Sequence, residues 1–97
     1  IEACFASQFS NHVRAVMGLP LGSPAMRQPA AVMVNLLGSS SPDRVDIAGA
    51  LAIPQTYVHL YGKESRPGRK LGHVTALGNS ALEALRRAEQ AAELLQL

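Results

Sequence analysis

"TYVHLYGKESRPGRKLGHVTAL", Thr56 to Leu77, is the stretch that decides how this chain folds. Its left arm, Thr56 to Gly62, alternates: Val58 and Leu60 face one way, Tyr57, His59 and Tyr61 the other. That period of two predicts a strand with an apolar core face and a more polar outer face. Lys70 to Leu77 reads as a second strand of the same kind. Between them Arg66-Pro67-Gly68-Arg69 fits a type II turn, since proline presets the dihedral of the second position and glycine supplies the positive φ of the third. The whole stretch is a β-hairpin.

The hairpin loop also holds the densest charge in the chain. Tyr61 to His73 contains Lys63, Arg66, Arg69 and Lys70, four of the nine Lys and Arg residues, opposed only by Glu64. A turn brings its first and fourth Cα atoms within about 7 Å, so Arg66 and Arg69 start as neighbours. Lys63 leaves one strand stem and Lys70 begins the other. Two guanidinium forks and two ammonium groups suit a phosphate, the arginines by paired hydrogen bonds and the lysines as mobile point charges. Their mutual repulsion is a cost unless an anion or carboxylate offsets it. On the residues alone, three readings stay open: a solvated loop, whose lysines also discourage edge aggregation, an anion site, and a nucleic-acid contact. The last lacks interleaved aromatics apart from Tyr57 and Tyr61, and no nucleic-acid-binding motif is present.

Upstream of the hairpin, Ala30 to Gly38 is apolar at nearly every position and too short for a typical helix. We read it as a strand buried on both faces. Asp43 is the expected N-cap of a short helix through Val45, Ile47, Ala48 and Leu51, which Pro54 closes. Nearer the start, Phe9, Val13, Val16 and Met17 share one face of a helix over at least Ser7 to Met17, ended by Gly18 and Pro20. The Pro-rich run Leu19 to Pro29 is the best candidate boundary. Downstream, Ser80 and Glu83 form a capping-box pair, and Leu85, Ala88, Ala92 and Leu95 line one face of a terminal helix that packs on the sheet.

These elements make an α+β domain: a small, mostly antiparallel sheet with a basic hairpin loop and packed helices. With 97 residues, 47% hydrophobic and 16% charged, the chain is one small globular domain with an aliphatic core. A net charge of +2 is too small for a general nucleic-acid binder, so clustering carries the information. Cys4 alone cannot staple a fold, and a reducing cytoplasmic setting is expected. The longest apolar stretch, Ala30 to Leu37, is too short to span a bilayer, so no membrane partner is expected. His12, His59 and His73 lack metal-ligand spacing, and His73 reads as a partly buried strand histidine. No catalytic constellation is complete in the chain, and no catalytic or metal-ligating residue is assigned. The opening at Ile1, inside what reads as an ongoing element, suggests part of something longer.

Three stretches together resemble a known family. "SQFSNHVRAVMGLPLG" (Ser7–Gly22), "AVMVNLLG" (Ala31–Gly38) and "HLYGKESRPGRKLGHVT" (His59–Thr75) are similar to the C-terminal part of the N5-carboxyaminoimidazole ribonucleotide synthase family. "RPGRKLGH" after "YGK" is the specific signature; the capped helix from Ser80 is generic. The resemblance implies the C-terminal domain of an ATP-grasp enzyme, of rudimentary hybrid-motif type. It implies residues 1–18 as the tail of the central domain and residues 19–97 as the small C-terminal domain. The implied reaction joins bicarbonate to the amine of 5-aminoimidazole ribonucleotide through carboxyphosphate, with ATP hydrolysed and Mg2+ on the nucleotide, in a homodimer. It also implies that the basic loop contacts the ribonucleotide 5′-phosphate. Residue by residue, Lys63 of "YGK" and Arg69 of "PGRK" come first, Lys70 next, while Arg66 is expected to pair with a carboxylate such as Glu64 and shape the turn. The metal-binding carboxylates and ATP phosphate loop are not in these 97 residues, so the chain alone is expected to be inactive. Two other classes compete: a basic-hairpin module for nucleic acid or an acidic partner, which steep salt-dependent DNA affinity would favour, and a dimerisation module using the first and last helices.

Overall fold

A computed structural model of the chain describes residues 1–39 and 45–97. Along the chain it has α1 (Gln8–Val16), β1 (Ala30–Leu37), α2 (Ile47–Leu51), β2 (Thr56–Leu60), β3 (Lys70–Gly78) and α3 (Ala81–Glu93). The three strands form one antiparallel sheet in the order β1-β3-β2. The hairpin is present as expected, with Leu60 opposite Gly72 and Val58 opposite Val74. α3 lies across all three strands, and α2 fills the space beside it.

One face of the sheet makes the core. Register places Val32, Val34 and Leu36 of β1, Val74 and Ala76 of β3, and Thr56 and Val58 of β2 on it. Leu36, Val74 and Ala76 meet Ala88, Ala91 and Leu95 from the helical side, with Ala50 and Ile53 closing one end. The buried row of α3 is Ala84, Ala88 and Ala91, continued by Leu95. This corrects the expected face: Ala88 and Leu95 belong to it, whereas Leu85 is 37% exposed. The reason is distance. Alanine lets the helix axis approach the sheet, and a Cβ on Gly78 would already meet the Ala84 nitrogen at 3.0 Å. Ser80 caps the helix as expected, its Oγ accepting from the Glu83 N–H at 3.1 Å. Glu83 turns its carboxylate to Arg87 at 2.7 Å, one turn along.

Two strand expectations exchange roles. β1, read as buried on both faces, is an edge strand with Met33 and Leu37 exposed. β3, read as half polar, is the central strand and is buried from Val74 to Gly78. An apolar run looks alike in either place; which strand lies central depends on where the chain returns to the sheet after the first strand. The short helix also starts later than expected. Asp46 is its N-cap, with Oδ1 accepting from the Gly49 N–H at 2.9 Å; the expected cap, Asp43, lies outside the described residues.

Residues 1–29 form a looped arm. The N–H groups of Phe5 and Ala6 donate to the carbonyls of Ala25 and Ser23, and that of Arg27 donates to Ala3. Ser7 caps α1 and Gly18, at φ +68°, follows its end. Asn11 ties the helix to Gly22 in both directions, accepting at 2.8 Å and donating at 3.2 Å. Among the described residues α1 packs against no other helix or strand, and Phe9, Val13, Val16 and Met17 are all exposed. The Cα radius of gyration of 15.1 Å accordingly exceeds the roughly 12.5 Å of a compact chain of this length.

Candidate functional site

Backbone hydrogen bonds anchor the turn of the basic loop, and no ion pair among the described residues involves it. Gly68 sits at φ +76° and the Arg69 N–H donates to the Arg66 carbonyl at 3.1 Å, which is the expected type II turn. The turn is pinned to the end of β1. Gly68 N–H donates to Gly38 O at 2.8 Å, and Gly38 N–H donates to Arg69 O at 2.7 Å. A register shift between Leu36 and Leu37, which pairs Leu37 with Lys70, aims the chain for this contact. Gly38 is buried, and an added Cβ would overlap the Arg66 carbonyl oxygen. The sequence carried one visible sign of this docking, a glycine closing an apolar strand, but nothing that named its partner.

Lys63 Nζ lies 5.4 Å from the centroid of the Tyr61 ring, in cation–π range. Arg69 is half-buried, and its Nη1 donates to the Glu64 carbonyl oxygen at 3.1 Å, folding the guanidinium back across the loop. Lys70, exposed at the start of β3, is near enough for its charge to act on His73. Arg66 was expected to pair with Glu64. Among the described residues neither takes part in an ion pair, and Glu64 serves the loop through its backbone, toward Arg69. Nor do Lys63, Arg69 or Lys70 meet a carboxylate among the described residues. Three loop cations and Lys70 at the start of β3 thus stand without an ion-pair partner among the described residues. Ser65 closes the other side, its Oγ donating to the Leu97 carbonyl at 2.7 Å. Lys63 and Ser65 border a cavity of about 250 Å³ walled by Val45, Leu60, Leu71 and Leu97. Its apolar lining does not suit a phosphate.

Beside the loop, on the sheet face away from α3, lies a row of side chains that spacing did not reveal. His59 and His73 are direct cross-strand partners, and their rings stack with centroids 4.6 Å apart. Glu2 Oε1 reaches His59 Nε2 at 2.5 Å, and the Tyr61 hydroxyl meets His73 Nδ1 at 2.7 Å. Both hydrogen-bonding ends of the row are thus occupied, and the Tyr61 ring carries Lys63. That leaves Tyr61 poorly placed to stack a base.

Partial burial, above all, pushes the His73 imidazole below its ordinary pKa; His59 and Lys70 push the same way, and Glu2 opposes them. The folded state then binds fewer protons than the unfolded state around pH 6, so stability rises with pH there. The contribution is intact above the ordinary histidine value of about 6.5 and is lost as pH falls through it, levelling below the depressed native value. Thermal melts of the wild type and His73→Gln are expected to converge as pH falls from about 7.5 to about 5. A constant gap between them would refute the shift.

Among the described residues, no three His, Cys, Asp or Glu side chains gather to hold a metal ion. None of the helices in the described residues is long and apolar enough to cross a membrane.

The model of the phosphoribosylaminoimidazole carboxylase C-terminal domain matches residues 31–87. The chain is similar to N5-carboxyaminoimidazole ribonucleotide synthase of Mycobacterium tuberculosis, 41% identical over 100 residues, covering 98% of this chain and 23% of that protein. Its fold is similar to N5-carboxyaminoimidazole ribonucleotide synthetase from Thermotoga maritima, with TM-score 0.78 and 44% identity over 98% of this chain and 28% of that one. It is also similar to N5-carboxyaminoimidazole synthase from Aspergillus clavatus in complex with ADP and 5-aminoimidazole ribonucleotide, with TM-score 0.74 and 35% identity over 97% of this chain and 26% of that one. The chain spans about a quarter of the length of the curated synthases it matches.

Proposed function

Because this chain belongs to the family of phosphoribosylaminoimidazole carboxylase C-terminal domains, we propose that it works as the C-terminal domain of an ATP-grasp ligase of purine biosynthesis. That ligase carboxylates 5-aminoimidazole ribonucleotide with bicarbonate at the expense of ATP. The basic loop holds the ribonucleotide 5′-phosphate, with Lys63, Arg69 and Lys70 as its contacts. The observation that carries this reading is the loop itself: cations without carboxylate partners among the described residues, on a turn fixed by two backbone hydrogen bonds to Gly38.

The phosphate takes no part in the bond that forms. Its binding energy instead fixes one end of the substrate, so that the amine is presented at the carboxylating centre at a high effective concentration. ATP and its Mg2+ are assigned to parts of the ligase beyond these 97 residues, and the isolated chain is expected to have no ligase activity. Residues 1–18 go with the central domain and 19–97 with the small domain. Support comes from α1, which packs on no other element among the described residues and keeps an apolar face exposed. In the isolated chain that face is available to a second copy, in keeping with a homodimeric parent.

Titrating the whole ligase with 5-aminoimidazole ribonucleotide and with its dephosphorylated nucleoside tests the reading. The nucleoside is expected to bind at least about a hundredfold more weakly, as loss of two charge-assisted contacts implies. Equal affinities would remove the phosphate from the loop. Tight, steeply salt-dependent binding of DNA instead would favour the basic-module reading.

A further inference from the structure

Lys63 does not stand alone on the loop. Its ammonium rests over the Tyr61 ring at 5.4 Å, the Tyr61 hydroxyl meets His73 Nδ1 at 2.7 Å, and the His73 ring stacks on His59 at 4.6 Å. Glu2 Oε1 then holds His59 Nε2 at 2.5 Å from the other side. We propose that Tyr61 and His73 are positioning residues of the phosphate clamp, with the row Glu2–His59–His73–Tyr61 fixing where Lys63 presents its charge. This rests on the phosphate reading above and adds the residues that make one of its contacts directional.

A lysine side chain is conformationally free. Its four-carbon stem carries a charge that costs rotamer entropy to localise. Lys63 is exposed, with no carboxylate partner among the described residues. The face of Tyr61 supplies a weak electrostatic seat, but only if the ring itself is held. Tyr61 is 40% exposed and just past the end of β2, so packing alone does not hold it. The hydrogen bond to His73 does, because His73 belongs to the buried central strand and its ring is fixed by the stack on its cross-strand partner. Gly62, at φ +70°, turns the chain between Tyr61 and Lys63. The result is a rigid line from the sheet to a loop cation. A seat of this kind lowers the ordering cost when phosphate arrives.

The test is a double-mutant cycle in the whole ligase, read as KM for the ribonucleotide, KM for ATP and kcat. Tyr61→Phe keeps the ring and removes its tether; it is expected to raise the ribonucleotide KM about fivefold, the worth of one ordinary hydrogen bond. The other two parameters should be unchanged. His73→Gln should match it. His73→Asn places an amide oxygen where Nδ1 stood and should recover to within about twofold of wild type. Lys63→Ala should raise the same KM at least about tenfold, and adding Tyr61→Phe to it should do nothing more, because the tether acts through Lys63. If Tyr61→Phe and His73→Gln are silent while Lys63→Ala is not, the positioning role is overturned and the phosphate reading stands. Additive effects of Tyr61→Phe and Lys63→Ala, or equal loss in both His73 variants, also overturn it. A silent Lys63→Ala overturns the Lys63 phosphate contact, and the positioning role with it.

Discussion

In the whole ligase, Arg69→Ala is expected to raise the ribonucleotide KM at least about tenfold, while the KM for ATP stays nearly unchanged. A hydrogen bond to a charged group is worth about 1.5–3 kcal/mol, and about 1.4 kcal/mol is a factor of ten. Arg69 is the one loop cation both half-buried and oriented by a backbone acceptor, the Glu64 carbonyl at 3.1 Å. Its fork is thus preorganised in a way a free lysine is not. Arg69→Lys should recover only part of the loss, since it restores the charge but not the planar pair of donors. Steady-state kinetics with each substrate varied in turn decides the matter. Equal effects on both substrates would mean a collapsed domain, and no effect would remove Arg69 from the site.

Gly38→Ala is expected to be the most damaging single-methyl change in the chain. The new Cβ would overlap the Arg66 carbonyl oxygen, and a backbone atom cannot rotate away as a side chain can. Either the turn lifts off β1 or the end of β1 moves. Both break the hydrogen bonds at 2.7 and 2.8 Å that join Gly38 to Arg69 and Gly68. Overpacking costs about 1–3 kcal/mol, and each lost bond adds about 1 kcal/mol. A stability loss of about 3–5 kcal/mol in urea unfolding is therefore expected, with a rise in ribonucleotide KM because the loop has lost its anchor. A variant with wild-type stability and KM would show that the turn does not need this seat.

Local features were legible in the residues themselves. Ser80 caps the last helix where its spacing said it would, and the Pro67-Gly68 turn joins two strands. Each depends on groups within a few residues, so each is written in neighbouring letters. The family signature lay in the same hairpin, and it pointed to Lys63, Arg69 and Lys70 without any coordinates. Burial was less legible. The apolar stretch Ala30 to Leu37 became an edge, and the more mixed Lys70 to Gly78 became the centre. The packing face of α3 shifted onto its alanines because the sheet below, with Gly78 at its end, admits a close helix.

The candidate site divides along the same line. By itself the sequence determined that a charged turn would close a β-hairpin, because turn dihedrals and strand alternation are short-range consequences of residue type. Only the tertiary structure decided what that turn rests on and what aims its cations. Gly38 meets Arg66 across the sheet edge, and Glu2 meets His59 from 57 positions away. Such contacts are made by the return of the chain to its own surface. Their partners are set by strand order and register, which no local pattern encodes.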